Sequence, residues 1–219
     1  MSYYIDADKV NLEDLLTRIT ETDLVPSRVL LLENINENFN KLKTNGILTL
    51  AEFRKSVKNS KKIAPLANKT NISEEYLTLL RREVEGYFPK AFPLDSFFWL
   101  DKNKIAKLVN EGYKNTFLLY EALSSINKRN ELIKSIGLDK DFVDEIFSLV
   151  DLTRIQWVNP ITARIIYSAG YKSAKSVAQA NTNNLHEAME KVNKEGKYFN
   201  AEIRLRDIKR LVKAASYIP

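Results

Sequence analysis

Residues 152–171 read LTRIQWVNPITARIIYSAGY, and their spacing decides the architecture of the whole chain. The pattern predicts a helix that ends at Arg154–Ile155, a tight turn over Gln156–Trp157–Val158–Asn159, and a second helix running from Pro160 through Ala163 and Ile166 to Gly170. Proline suits the first helical position because its missing N–H would be unpaired there in any case. Gly170 suits a helix end because it enters the left-handed region without steric cost.

Two other glycines have the same surroundings. Gly46, Gly112 and Gly170 each follow an amphipathic segment and precede an aliphatic or aromatic residue, Ile47, Tyr113 or Tyr171. Two residues further on stand Thr49, Asn115 and Ser173, side chains that favour helix N-caps. Thr49 has Glu52 three residues later, the signature of a capping box. Four and seven residues before each glycine the chain is apolar: Leu42 and Phe39, Leu108 and Ile105, Ile166 and Ala163. Seven residues after it stand Phe53, Leu119 and Val177. The offset of 66 residues between the first two glycines also carries Asn71-Ile72-Ser73 onto Gly137-Leu138-Asp139, Tyr76 onto Phe142 and Leu80 onto Ile146. The third glycine comes 58 residues after the second, and its later turn is expected at Tyr198-Phe199-Asn200. Such fixed spacing predicts a threefold internal repeat of helical units.

The remaining pattern is helical as well. Asn11 is expected to cap a helix whose apolar face carries Leu12, Leu15, Leu16 and Ile19, and Pro26 to open another with Val29, Leu30 and Leu31. Ser73 and Asp139 each start a helix, the first ending at Gly86 and Pro89. Residues 88–96, with two prolines, read as a linker. A last helix is expected from Asn200 to Tyr217, with Leu205, Ile208, Leu211, Val212 and Ala215 opposite Arg206, Lys209, Arg210 and Lys213. No run alternates β-branched and polar residues, so no strand is expected. The reading is therefore an all-α chain: an acidic N-terminal helix (1–24) and three units at 25–88, 89–150 and 151–219.

Composition narrows the chemistry. In 219 residues, hydrophobic side chains make up 44% and charged ones 28%, ordinary values for a soluble globular protein. No apolar run reaches the roughly 18 residues that span a bilayer, the first residues do not read as a secretory signal, and there is no cysteine. These features predict a cytoplasmic protein that does not engage a membrane and holds no cysteine-ligated metal. The net charge is +6. Its distribution is uneven: Asp6, Asp8, Glu13, Asp14, Glu21 and Asp23 face only Lys9 and Arg18 in the first 24 residues. Residues 53–72 hold Arg54, Lys55, Lys58, Lys61, Lys62 and Lys69 and no acid, a pattern compatible with a phosphate-bearing partner and equally with a solvated lysine-rich surface.

Catalytic constellations are scarce. His186 is the single histidine and stands in a polar segment, and neither a phosphate loop nor a nucleophile motif is present. We expect no enzyme, no cofactor and no metal site. The functional signal lies in the hairpin turns, which have the form of helix-hairpin-helix elements. Such a turn points backbone N–H groups and a helix N-terminus at a phosphate, with glycines permitting close approach. In the usual glycine–hydrophobic–glycine turn, with an alanine four residues later, Val158 and Ala163 stand where expected, but Trp157 and Asn159 occupy the glycine positions. Asn159 could act as an N-cap or adopt the left-handed region, whereas tryptophan does so less easily. The candidate nucleic-acid site comprises Arg154, Gln156, Trp157, Asn159, Thr162 and Arg164 in the third hairpin, and Lys102, Lys104 and Lys107 in the second, which Asp101 would cap. The first hairpin, Asn34-Ile35-Asn36-Glu37-Asn38, offers Lys41 and Lys43. Trp157 has three readings: packing between helices, anchoring a protein partner, or stacking on a base.

NISEEYLTLLRREVEGYFPK (71–90), NTFLLYEAL (115–123) and DLTRIQWVNPITARIIYSAGY (151–171) resemble a bacterial domain family of unknown function, number 4332, over most of the chain from about Asp23. The resemblance implies tandem helix-hairpin-helix repeats similar to polymerase-α-subunit-type domains. From that wider fold it implies non-enzymatic, sequence-independent DNA binding. The alternative is a scaffold or adaptor whose repeats hold another protein.

Overall fold

The computed structural model describes residues 2–218, whose regular structure is entirely helical, with no strand among them. Two isolated backbone bridges, Asn11 with Thr49 and Pro93 with Asn115, are the sole β-type pairings in these residues. The α-helices, numbered in chain order, are α1 (Leu12–Glu21), α2 (Ile35–Thr44), α3 (Leu50–Ser56), α4 (Ser60–Thr70), α5 (Glu74–Glu85), α6 (Lys102–Asn110), α7 (Thr116–Leu123), α8 (Ile126–Ile136), α9 (Lys140–Leu152), α10 (Pro160–Ser168), α11 (Ala174–Ala178), α12 (Thr182–Gly196) and α13 (Leu205–Ala215). Two 3-10 segments, Pro26–Leu32 and Leu94–Ser96, precede α2 and α6.

The glycine-centred turns share one geometry. Gly46, Gly112 and Gly170 all have positive φ, +82°, +95° and +94°. In each turn the N–H of the following residue reaches back five positions: Ile47 to Leu42, Tyr113 to Leu108 and Tyr171 to Ile166, at 3.0–3.2 Å. This closes the helix end with the hydrogen bonds that its last carbonyls would otherwise lack. The caps that follow are also alike, since the Thr49, Asn115 and Ser173 side chains accept from the N–H groups of Glu52, Leu118 and Ser176. The apolar positions counted from each glycine are all buried, Phe39, Leu42, Phe53, Ile105, Leu108, Leu119, Ala163, Ile166 and Val177 among them.

The later turns match in two segments and differ in the third. Asn71 and Gly137 end α4 and α8 in the left-handed region, and Ser73 and Asp139 then cap α5 and α9. Lys41 Nζ donates to the Asn71 carbonyl at 3.2 Å, and Lys107 Nζ, 66 positions on, donates to the Gly137 carbonyl at 3.4 Å. In the third segment the left-handed residue is Lys197, at φ +50°, one position before the expected turn. The last helix begins at Leu205 rather than Asn200. The residues that lead into it are held by side chains of α12: Asn193 accepts from Phe199 N–H, and the Glu190 carboxylate accepts from Ile203 N–H. Other differences are local. The segment opened by Pro26 is a 3-10 helix, and α9 ends at Leu152, two residues short of the expected end, with Thr153 as its C-cap.

The chain divides into two compact units, Asp6–Tyr87 and the remainder, the latter joining Phe88 onward to the residues before Asp6. In the first, the acidic helix α1 packs on α2, and Leu12, Leu15 and Ile19 are buried with Leu31, Phe39, Leu42, Phe53 and Leu80. Burial of such side chains stabilises by about 1.5–3 kcal/mol each relative to exposure. In the second, residues read from sequence as 89–150 and 151–219 contribute to one continuous core. It runs from Leu94, Phe97 and Leu108 through Phe142, Val150 and Ile155 to Ile166, Leu185 and Leu211. Tyr3 belongs to that same core, 1% exposed.

Candidate nucleic-acid interface

The third hairpin turns its charge inward. Arg154 is only 2% exposed and donates in four directions: Nε to Tyr3 O at 3.1 Å, Nη2 to Ser2 O at 3.1 Å, and Nη1 to Tyr120 Oη at 2.7 Å and Asp151 Oδ1 at 2.6 Å. Asp151 Oδ2 accepts from the Ala174 N–H at 2.7 Å, so the ion pair is hydrogen-bonded on both sides. The expectation that Arg154 reaches phosphate is corrected: three residues after Asp151 in the helix-end turn, it is drawn into the core by that carboxylate and by backbone carbonyls. Gln156 is buried as well and presents nothing to a partner. Nearby, Tyr3 Oη shares hydrogen bonds with Thr116 Oγ1 at 2.9 Å and Thr153 Oγ1 at 3.2 Å, while burial pushes its phenol above the ordinary tyrosine range.

The rest of this hairpin is ordered by short-range chemistry. Asn159 has extended backbone, at φ −90° and ψ 173°, and its side chain accepts from Thr162 N–H at 2.9 Å and from Thr162 Oγ1 at 3.2 Å. Asn159 therefore fulfils the capping role expected of it and claims the amide that a phosphate would otherwise take. Arg164 is half-buried with its guanidinium 4.9 Å from the ring centroids of both Trp99 and Tyr198, a cation–π arrangement that ties α10 to two neighbouring segments. Trp157 behaves otherwise. Its φ is +70°, a conformation that costs a non-glycine residue about 1–2 kcal/mol. The residue is nevertheless 51% exposed.

In the second hairpin Asp101 caps α6, accepting from Asn103 N–H at 2.8 Å and Lys104 N–H at 3.2 Å. A carboxylate thus fills the place where a hairpin phosphate would bind. Lys104 pairs with Asp139, which raises the lysine and lowers the carboxyl from their ordinary ranges. Lys107 is directed to the Gly137 carbonyl, and Lys102 is exposed on the first turn of α6. Of the nine residues proposed from sequence, Lys102, Lys107, Asn159 and Trp157 are exposed and form no ion pair among the described residues; of these Asn159 caps α10 and Lys107 reaches the Gly137 carbonyl, and the other five serve the fold wholly or in part.

A different group of cations is better placed. Lys55 on α3, Lys61 and Lys62 in the first turn of α4, and Lys69 near its end line a hollow of about 510 Å³ with Gly46, Ile47, Pro65 and Leu66. All four lysines are exposed, and none forms an ion pair among the described residues. The contacts they make go to carbonyls: Lys69 Nζ to Asn45 O at 3.2 Å and Lys62 Nζ to Lys55 O at 3.4 Å. Glu52, the one acid lining the hollow, is committed to the N–H groups of Leu48 and Thr49 at 2.7 and 3.0 Å, which hold its carboxyl below the usual range. The first turn of α4 carries no acid, and its N-cap Asn59 makes no side-chain capping bond, so the positive end of the helix dipole adds to the lysine field. The acid-free run at 53–72 was the sequence signal for this group. It does not show that the turn at Gly46 brings both ends of α4 to one hollow with α3.

The apolar surface has a separate feature. Phe98, 63% exposed, stands over a hollow of about 430 Å³ with Pro93, Leu100, Ile105 and Val109, and Lys102 and Lys114 at its edge. His186 is occupied structurally, with Nε2 2.6 Å from the Ile203 carbonyl.

A family model described as a domain of unknown function (DUF4332) matches residues 100–218. No curated protein and no solved structure matches the chain. The matched residues include the second and third hairpins and Trp157, whereas the lysine hollow lies before them.

Proposed function

The chain belongs to the family described as a domain of unknown function (DUF4332), and from that premise we propose that it binds nucleic acid without sequence preference, through the phosphate backbone. The observation that carries the proposal is the hollow formed by Lys55, Lys61, Lys62 and Lys69, four exposed ammonium groups that form no ion pair among the described residues. Point-charge lysines on flexible stems contact phosphates without reading bases. In this reading the hairpin turns before α6 and α10 are degenerate helix-hairpin-helix elements whose amides have been given over to the Asp101 and Asn159 caps, so they build the fold while the lysines supply affinity. The setting we assign is the bacterial cytoplasm, in keeping with a chain that has no cysteine and, among the described residues, no helix long and apolar enough to cross a membrane.

Salt titration tests the proposal. Four phosphate contacts give a slope of about −3.6 in log affinity against log salt for duplex DNA, a loss of roughly 100-fold between 50 and 200 mM. Replacing the four lysines with glutamine should flatten that slope by about three to four and weaken binding about equally on every sequence. Unchanged affinity in this variant, or no binding to duplex or single strand at 20 mM salt, would end the proposal.

The alternative, a protein-binding scaffold, is favoured by Phe98 and its apolar hollow. It predicts that Phe98→Asp abolishes a protein contact and leaves the salt-dependent binding untouched.

A further inference from the structure

We infer that Trp157 is a stacking platform for an unpaired base, so that the nucleic acid bound is single-stranded or locally open. The inference rests on the nucleic-acid reading and deepens it. Three observations carry it. The first is conformational: the non-glycine residues with positive φ are Asn34, Asn71, Lys197 and Trp157 among the described residues, and Trp157 is the one aromatic. Asparagine visits this region readily, and a lysine there is a helix C-cap. A tryptophan in it is strained, and strain of this kind persists where the surroundings impose it and gathers at functional positions.

The second observation is the rigidity of those surroundings. Arg154, Ile155, Gln156, Val158 and Pro160 are all buried, and Asn159 is tied to Thr162. The turn is thus anchored on both sides, and the indole stands out from it half exposed. A platform held this way loses little freedom when a base stacks on it.

The third is a comparison within the chain. Trp99 stands thirteen residues before Gly112, as Trp157 stands thirteen before Gly170. Trp99 is half-buried and makes edge contacts with Phe97 and Phe98 at 5.5 and 5.4 Å as well as the cation–π contact with Arg164. Trp157 has no ring or cationic partner among the described residues. The indole that has a structural task is packed; the other is exposed at a conformational cost. Its surroundings also indicate the ligand. A protein hot spot occupies the centre of a broad apolar patch, whereas the exposed neighbour of Trp157 in the turn is the polar Asn159. An exposed π-face without a ring partner, beside the polar Asn159, fits a base, whose stacking needs no wider apolar surface.

The test uses the full chain with Trp99→Phe, leaving Trp157 as the sole indole, and compares it with the further substitutions Trp157→Gly and Trp157→Phe. A 15-residue oligothymidylate and a duplex of equal length are the probes. Stacking predicts that the single strand quenches the emission. It predicts that Trp157→Gly weakens single-strand binding by about tenfold or more, the scale of one lost stacked base. Trp157→Phe should keep most of the affinity, and duplex affinity should change by less than twofold in either variant. Because glycine accepts positive φ, Trp157→Gly should melt no lower than its parent, which separates lost binding from lost folding. Single-strand binding with unmoved emission and unchanged affinity in Trp157→Gly would overturn the platform while leaving the lysine hollow in force. Failure of both probes to bind would overturn the nucleic-acid reading itself. Emission that responds to protein concentration and to neither probe would assign the indole to a protein contact and overturn the inference.

Discussion

Arg154→Ala is the substitution that best tests how this protein is held together. The guanidinium occupies a buried position and supplies Asp151 Oδ1, Tyr120 Oη and the carbonyls of Ser2 and Tyr3 with hydrogen-bond donors. Alanine removes these bonds and leaves the Asp151 carboxylate in the core with the Ala174 amide but without this counter-charge. Breaking a buried pair from one side costs about 3–5 kcal/mol, most of it the penalty of the charge left behind. For a unit of this size, each kcal/mol lowers the melting temperature by about 2–4 °C, so a fall of roughly 6–20 °C is expected. Urea unfolding followed by circular dichroism measures the free energy, and calorimetry the melting temperature. Arg154→Lys should recover only part, since an ammonium cannot reproduce the planar fork that serves four acceptors. Adding Asp151→Asn to Arg154→Met should relieve the uncompensated charge and regain part of the loss relative to Arg154→Met alone. The reasoning is refuted if Arg154→Ala stays within 1 kcal/mol of the parent. It is equally refuted if the variant loses nucleic-acid affinity at unchanged stability, because the side chain would then act at the surface.

Two further perturbations address the turns and the first unit. Gly170→Ala places a β-carbon in a conformation of φ +94° and should cost about 1–2 kcal/mol in urea unfolding although nothing lies close enough to clash; a neutral substitution would mean that the turn relaxes. Tyr76 Oη donates to the Leu31 carbonyl at 3.1 Å, and burial pushes its phenol up to about 12. The folded state thus favours the protonated phenol, so this contribution is intact below the ordinary tyrosine value and is lost as pH rises through that value towards 12. Tyr76→Phe should cost about 1 kcal/mol at pH 7 and remove this alkaline loss, which unfolding curves between pH 9 and 12 would reveal.

What could be read from the sequence was what depends on near neighbours. The Gly46, Gly112 and Gly170 turns, their Thr49, Asn115 and Ser173 caps, and the buried positions counted from them follow from backbone conformation and spacing, both written locally. The helix after Asn159 opened where the proline and the cap placed it. Arg154 was legible as a charge but not as a buried one, because its acceptors at Ser2, Tyr3 and Tyr120 lie 34 to 152 positions away. The lysine run at 53–72 was visible, but its gathering around one hollow depends on how α3, α4 and the Gly46 turn meet. Trp157 went against local preference altogether, taking the left-handed conformation while Asn159 remained extended. The third late turn moved to Lys197 because Asn193 and Glu190 bind the chain beyond it, an arrangement that depends on α12 already being folded.

The placement of Tyr3 has a consequence for the order in which the chain can be completed. Seen along the backbone, Asp6–Tyr87 is an insertion into the other unit, whose core takes one piece from before it and the rest from after it. During synthesis, Tyr3 is made well before Thr116, Thr153 and Arg154 and waits for them while the whole inserted unit is laid down. The larger unit therefore closes late, when the segment near residue 154 returns to a segment made about 150 residues earlier. A fragment cut to the family-matched residues 100–218 would omit the tyrosine that fills this site and expose a buried arginine to water. Joining Ile5 to Phe88 by a short flexible linker, with the insertion removed, retains it. Division of this protein into working parts should thus follow its contacts rather than its linear order.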